Sequence, residues 1–235
     1  MNRLSIFGIH GIPEVRTGDD LAGLILAAAA GQGTPLADGD VLVVTQKVVS
    51  KAEGRLVDID PAVGHRAIVE RESVRVLRRR GELIISETAH GFVCANAGVD
   101  LSNVEQGRAA LLPVDPDRSA RRLRDAVRGA TGLHVGVVVS DTFGRPWRRG
   151  VTDVAIGCAG IAGVVDLRGS TDGLGRELQV TEVAVVDEVA AAAELVMGKA
   201  SRVPAAVVRG LERSWLRDGE VRREVLRRPG DDLFR

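Results

Sequence analysis

The chain has 235 residues and a mass of 24.9 kDa, enough for one large domain or two small ones sharing a core. Hydrophobic residues make up 45 % and charged ones 27 %, which excludes wholesale disorder, and no apolar run reaches the ~18 residues that cross a bilayer. Lys plus Arg number 32, as do Asp plus Glu, aromatics are 3 % and Tyr is absent; a general nucleic-acid binder or a stacking platform for single strands is therefore disfavoured.

The run Met1–Phe7 lacks the apolar core and cleavage site of a secretory signal, so the expected location is the cytoplasm. Asp38-Gly39-Asp40 reads as a turn, and Val41 to Thr45 after it as a buried strand. The spacing of Val69, Ser73, Val76 and Leu77 predicts a helix over 66–80, with acids early and Arg78 to Arg80 late. Leu83 to Ile85 and Phe92 to Cys94 are strand candidates. Asp115-Pro116 opens a helix with stripe Ala120, Leu123 and Val127, stopped by Gly129 and Gly132. His134 to Val139 is a β-branched run expected to end at Ser140. Val164-Val165 marks another strand, Thr181 to Met197 is mostly helical, and Ala205 to Val208 is a last buried strand. The alanine runs 27–30 and 190–193 read as close-packed helix faces. The tail 212–235 looks like a surface segment or linker. Cys94 and Cys158, far apart, read as small buried hydrophobes. Mixed strands and helices without strict alternation point to an α/β or α+β fold.

Several signatures are absent: the phosphate-binding G-x-x-x-x-G-K-[ST], a G-x-G-x-x-G after a strand, H-E-x-x-H and G-x-S-x-G. The four histidines share no ligand spacing. Asp141 and Thr142 follow a buried strand directly, where ligands collect in open sheets, and their oxygens suit a hard cation. The same pair also reads as a turn or helix cap. In Asn96 to Asn103, small residues permit close backbone approach, and Asp100 and Asn103 offer oxygen and amide groups, or else an Asx-turn. Arg145, Arg148 and Arg149 follow Asp141, and Lys47, Lys51 and Arg55 follow the first buried strand. Acids ringed by Lys and Arg suit polyphosphate and an anionic substrate.

The run Val139 to Asp153 (VSDTFGRPWRRGVTD) resembles the signature of the F420 γ-glutamyl ligase family. Similar to the same family are Ala97 to Val104, Gly11 to Val15 with Gly18-Asp19-Asp20, Asp38 to Arg55, Gly175 to Glu182 and Pro204 to Gly210, in order over nearly the whole chain. The resemblance implies a mixed α+β fold with two interleaved subdomains in one ligase domain, 1–235. It implies a homodimer and an amide ligase joining L-glutamate to the lactyl carboxylate of coenzyme F420-0, with GTP as co-substrate. It further implies Mg²⁺ or Mn²⁺ at up to two sites, and a monovalent cation as a further ligand. Carried over by position, Asp100 and Asp141 hold the first cation and Thr142 the second. Ile12, Pro13, Glu14, Val15, Gln46, Lys51 and Asn103 contact the nucleotide, with Lys51 on a phosphate. The loop Met197-Gly198-Lys199-Ala200-Ser201-Arg202-Val203 lies along the phosphates. Arg145, Arg148 and Arg149 are candidates for substrate anions. Some relatives carry an acid at the position of Lys199, so here the second cation is either held weakly or partly replaced. Others continue beyond the Asp231 to Phe234 region into a further domain. Two different readings stay open: a metal-dependent phosphohydrolase using the same aspartates, and a non-catalytic guanine-nucleotide-binding subunit.

Overall fold

The computed structural model describes residues 3–233; Met1, Asn2, Phe234 and Arg235 lie outside it. The elements in chain order are β1 (Ser5–Gly8), α1 (Leu21–Gly31), β2 (Val41–Thr45), α2 (Gln46–Ala52), β3 (Leu56–Asp58), α3 (Gly64–Glu72), β4 (Ser73–Arg80), β5 (Leu83–Thr88), β6 (Val93–Ala95) and β7 (Arg108–Ala110). Then come α4 (Pro116–Thr131), β8 (Gly136–Arg145), β9 (Arg148–Ala159), β10 (Val165–Asp166), β11 (Glu182–Val183), α5 (Val185–Met197), β12 (Ala205–Arg209) and α6 (Val221–Glu224). The fold is α+β.

A five-stranded sheet of order β1-β12-β2-β8-β9 carries the main core. Its middle strands are continuous β-branched runs because both faces are covered: Val41 to Val44 and Val137 to Val139 are fully buried. β2 and β8 run parallel; every other pair in this sheet is antiparallel. Helices α4 and α5 pack on it. α4 obeys its sequence: Asp115 caps it by accepting from Arg118 N at 2.9 Å, and Gly132 closes it at φ 75°. In the alanine runs, Ala29, Ala190 and Ala193 are fully buried. Between α2 and α4 the chain builds the smaller sheets β3-β7 and β4-β5-β6, with two small cores of their own around Ile68 and Ile84. Both cysteines are free and buried.

Four expectations need correction. The helix over 66–80 stops at Glu72, and 73–80 is strand β4, paired with β5. Gly81, at φ 59°, makes the hairpin turn, and alternating Val74, Arg75 and Val76 suit a pleated strand better than a helix. Gly129 lies within α4 rather than ending it. β8 does not end at Ser140 but runs on to Arg145. Finally, the stretch from Glu212 to Leu226 is docked, not a linker. Asp117 accepts from Val221 N at 2.9 Å and Arg222 N at 3.1 Å, Glu224 accepts from Gly163 N at 2.9 Å, and Val221 is fully buried.

Candidate active site

The parallel pair β2 and β8 ends at Thr45 and Ser140, which are register partners. This carboxyl edge is where side chains of an open sheet converge. α2 begins there at Gln46. A register shift after Val139 leaves Ile156 as an extra residue on β9, a bulge beside the site that re-aims the strands.

Successive residues of a strand face opposite sides, so neighbours Asp141 and Thr142 serve two half-sites. On one side, Asp141 Oδ1 accepts from Thr142 N at 2.8 Å, and Oδ2 has no hydrogen-bond partner among the described residues. Burial pushes its carboxyl up to about 7, helped by the negative charges of Asp100 and Asp153. Cys94 lies beneath, its thiol pushed up to about 12 by burial and then by the Asp141 charge. Asp100 is held by a backbone bridge to Ala110. Its burial raises the carboxyl, but Lys47 Nζ at 2.9 Å and Ser102 N at 2.7 Å outweigh it and leave it below the ordinary carboxylate range.

On the other side, Thr142 Oγ1 donates to Asp153 Oδ1 at 2.7 Å, and Ser140 Oγ donates to Asp153 Oδ2 at 3.1 Å. Thr142 and Asp153 are direct cross-strand partners, and Asp153 is only 2 % exposed. Lys199 reaches in from the loop after α5. Its Nζ donates to Thr142 Oγ1, to Asp153 Oδ1 at 2.7 Å and to Glu194 Oε1 at 3.2 Å. Burial lowers this ammonium, yet the two carboxylates hold it above its ordinary range.

The other anticipated residues divide. Lys51, nearly buried, bonds the exposed Glu14. Gln46 is buried and turns inward, its amide donating to Leu111 O at 3.4 Å. Ile12 and Val15 pack on the core, Pro13 is exposed, and Asn103 sits exposed at φ 53°. In the loop, Met197 and Val203 are buried anchors, and Gly198, Ala200, Ser201 and Arg202 are exposed between them. The site thus unites Asp100, Asp141, Thr142 and Lys199. Sequence reasoning missed Asp153 and Glu194. The only signal for Asp153 was its hairpin distance from Thr142, which needs the turn at Pro146-Trp147 to be placed first.

On the Asp141 side the donors, the carboxylates of Asp100 and Asp141, are all oxygen and suit a hard divalent cation, with Asp141 Oδ2 unengaged. Among the described residues no group of three or more Asp, Glu, His or Cys stands ready to hold a metal ion, so water or phosphate oxygens would complete the shell.

Fold and site together define an α+β protein with an acidic centre flanked by lysines at the carboxyl edge of a mixed sheet. The family described as F420-0:gamma-glutamyl ligase matches residues 10–210, and the chain belongs to that family. It is 45 % identical to the coenzyme F420:L-glutamate ligase of Methanothermobacter thermautotrophicus, over 99 % of each chain. It is 43 % identical to the protein of the same name from Methanopyrus kandleri, over 100 % of each, and 40 % to that of Archaeoglobus fulgidus, over 99 % of this chain and 97 % of the other. Among the described residues no helix is long and apolar enough to cross a membrane.

Proposed function

We propose that this chain, a ligase of coenzyme F420 biosynthesis, joins L-glutamate to F420-0 with GTP as the activating co-substrate, acting as a homodimer in the cytoplasm. A carboxylate and an amine do not condense in neutral water without activation. Transfer of the γ-phosphoryl group to the F420-0 carboxylate gives an acyl phosphate and GDP; the glutamate amine then displaces phosphate to form the amide. The observation that carries this reading is the convergence of Asp100, Asp141 and Asp153 with Lys47 and Lys199 at one sheet edge.

Asp100 and Asp141 are the residues that would hold Mg²⁺ or Mn²⁺, which when bound supplies charge neutralisation to phosphate oxygens. On the Thr142 side, Lys199 already supplies a positive charge, in place of the second cation that the family resemblance implies. Lys51, released from Glu14, is the candidate phosphate contact. Ile12 to Val15, Asn103 and the 197–203 loop border the nucleotide in this reading.

Mass spectrometry of F420-0 incubated with GTP, glutamate and Mn²⁺ tests it. A gain of one or more glutamyl units is expected; release of phosphate from GTP at full rate without F420-0 would instead favour a phosphohydrolase. Removing the internal cation should also show. Lys199→Ala is expected to tighten Mn²⁺ binding about tenfold, by lifting a like charge from the centre. Electron paramagnetic resonance titration of free Mn²⁺ reads the change.

A further inference from the structure

The β8–β9 hairpin outruns its sheet. β8 pairs with β2 only from Gly136 to Ser140, and beyond that point its strand partner is β9. Residues 141–153 therefore form a two-stranded ribbon, which by itself has little stability. Phe143 fixes its base, edge-on to Phe92 at 6.1 Å between ring centroids. At the far end, Pro146 and Trp147 alone connect Arg145 to Arg148.

Trp147 is unusual there. Its φ is 59°, in the left-handed region where turns favour Gly or Asn, yet this bulky ring is 84 % exposed. A positive φ retained in an exposed aromatic residue points to a functional use. Arg148 and Arg149 follow it, both exposed and without an ion pair to a described residue. Arg145, also exposed, is engaged with Arg149 O at 2.7 Å. Indole faces stack on flat rings, and guanidinium groups grip phosphate and carboxylate. From Thr142 to Trp147 the hairpin extends at most about 16 Å.

We infer that Trp147 stacks on the flat aromatic ring of the carboxylate-bearing substrate while Arg148 and Arg149 hold its anionic groups. The ribbon then spans the substrate from the reacting carboxylate at Asp141 to the ring at the turn. This assignment rests on the proposed ligation, and its test separates the two. Trp147→Ala is expected to raise KM for F420-0 tenfold or more, with kcat and KM for GTP within twofold of the parent. Trp147→Phe, which keeps a ring, should restore most of the loss. In Trp215→Phe protein, Trp147 is the one remaining tryptophan of two. Its emission should be quenched by F420-0 added without GTP.

An unchanged KM with unquenched emission overturns the inference while the ligation stands. A rise in KM for GTP alone overturns it too, because the stacked ring is then the nucleotide's. Loss of the dimer in Trp147→Ala with KM for F420-0 unchanged gives the turn to a second copy of the chain and overturns it as well. Absence of any glutamylated product from the unaltered protein removes the ligation itself, and the inference with it.

Discussion

Asp141→Asn is expected to lower the ligation rate on the order of 100-fold or more while leaving the fold intact, measured by product formation at matched GTP and Mn²⁺. The amide keeps the side chain's shape and its acceptor for Thr142 N, but it removes the negative charge that the proposed cation requires. Near-normal turnover would refute the assignment. The same variant has a second, opposite signature. The Asp141 carboxyl is raised from 3.8 to about 7 by burial and by the charges of Asp100 and Asp153. Well below 3.8 the group is protonated folded and unfolded alike, so it has no effect. From 3.8 to about 7 the unfolded chain ionises while the folded protein keeps the proton, so stability falls over that window and levels off above it. The metal-free protein should therefore lose on the order of 4 kcal/mol between pH 4 and pH 7.5 that Asp141→Asn does not lose, as read from urea midpoints. Added Mg²⁺ should raise Tm more at pH 8 than at pH 6, because only the ionised carboxylate binds it.

Gly157→Ala is expected to cost more than about 3 kcal/mol, and to shift the urea midpoint accordingly. A Cβ at Gly157 would lie 2.2 Å from Pro116 C and 2.3 Å from its carbonyl oxygen. Both are backbone atoms of the first turn of α4, which cannot swing aside. That turn is further fixed by Asp117, whose Oδ1 accepts from Cys158 N at 2.8 Å and from Val221 N at 2.9 Å. Moving the helix would break the junction of α4, β9 and the docked C-terminal segment together. Gly129→Ala, where open space surrounds the position within the same helix, serves as the control and should be neutral or stabilising. Equal stability of the two variants would show that the α4–β9 contact is looser than described.

Much of the fold was legible because its strands are buried on both faces and read as unbroken β-branched runs, as in Val41 to Val44 and Val137 to Val139. α4 announced itself through Asp115, Pro116 and Gly132. The illegible part was amphipathic on both readings. In 66–80, apolar residues fit a helical stripe, and only pairing with β5 across Gly81 decides for strand over the second half. Likewise β8 loses its apolar character at Ser140 not because the strand ends but because it leaves the sheet. At the site, Asp100, Asp141 and Thr142 stood in recognisable runs. Gln46 points inward to Leu111 O, 65 residues away, which also accepts from Ser50 Oγ at 2.6 Å, and nothing local encodes that. Lys199 met Asp153 and Glu194 only through folding of the loop after α5.

The position of β12 carries a consequence for biosynthesis. This strand, residues 205–209, lies between β1 and β2, segments translated about 200 and about 160 residues sooner. Until it leaves the ribosome, both earlier strands present bare edges to other nascent chains. Translation stalled ahead of codon 205 should therefore yield sticky, chaperone-bound species, and release of the last strand should convert them abruptly to the soluble form.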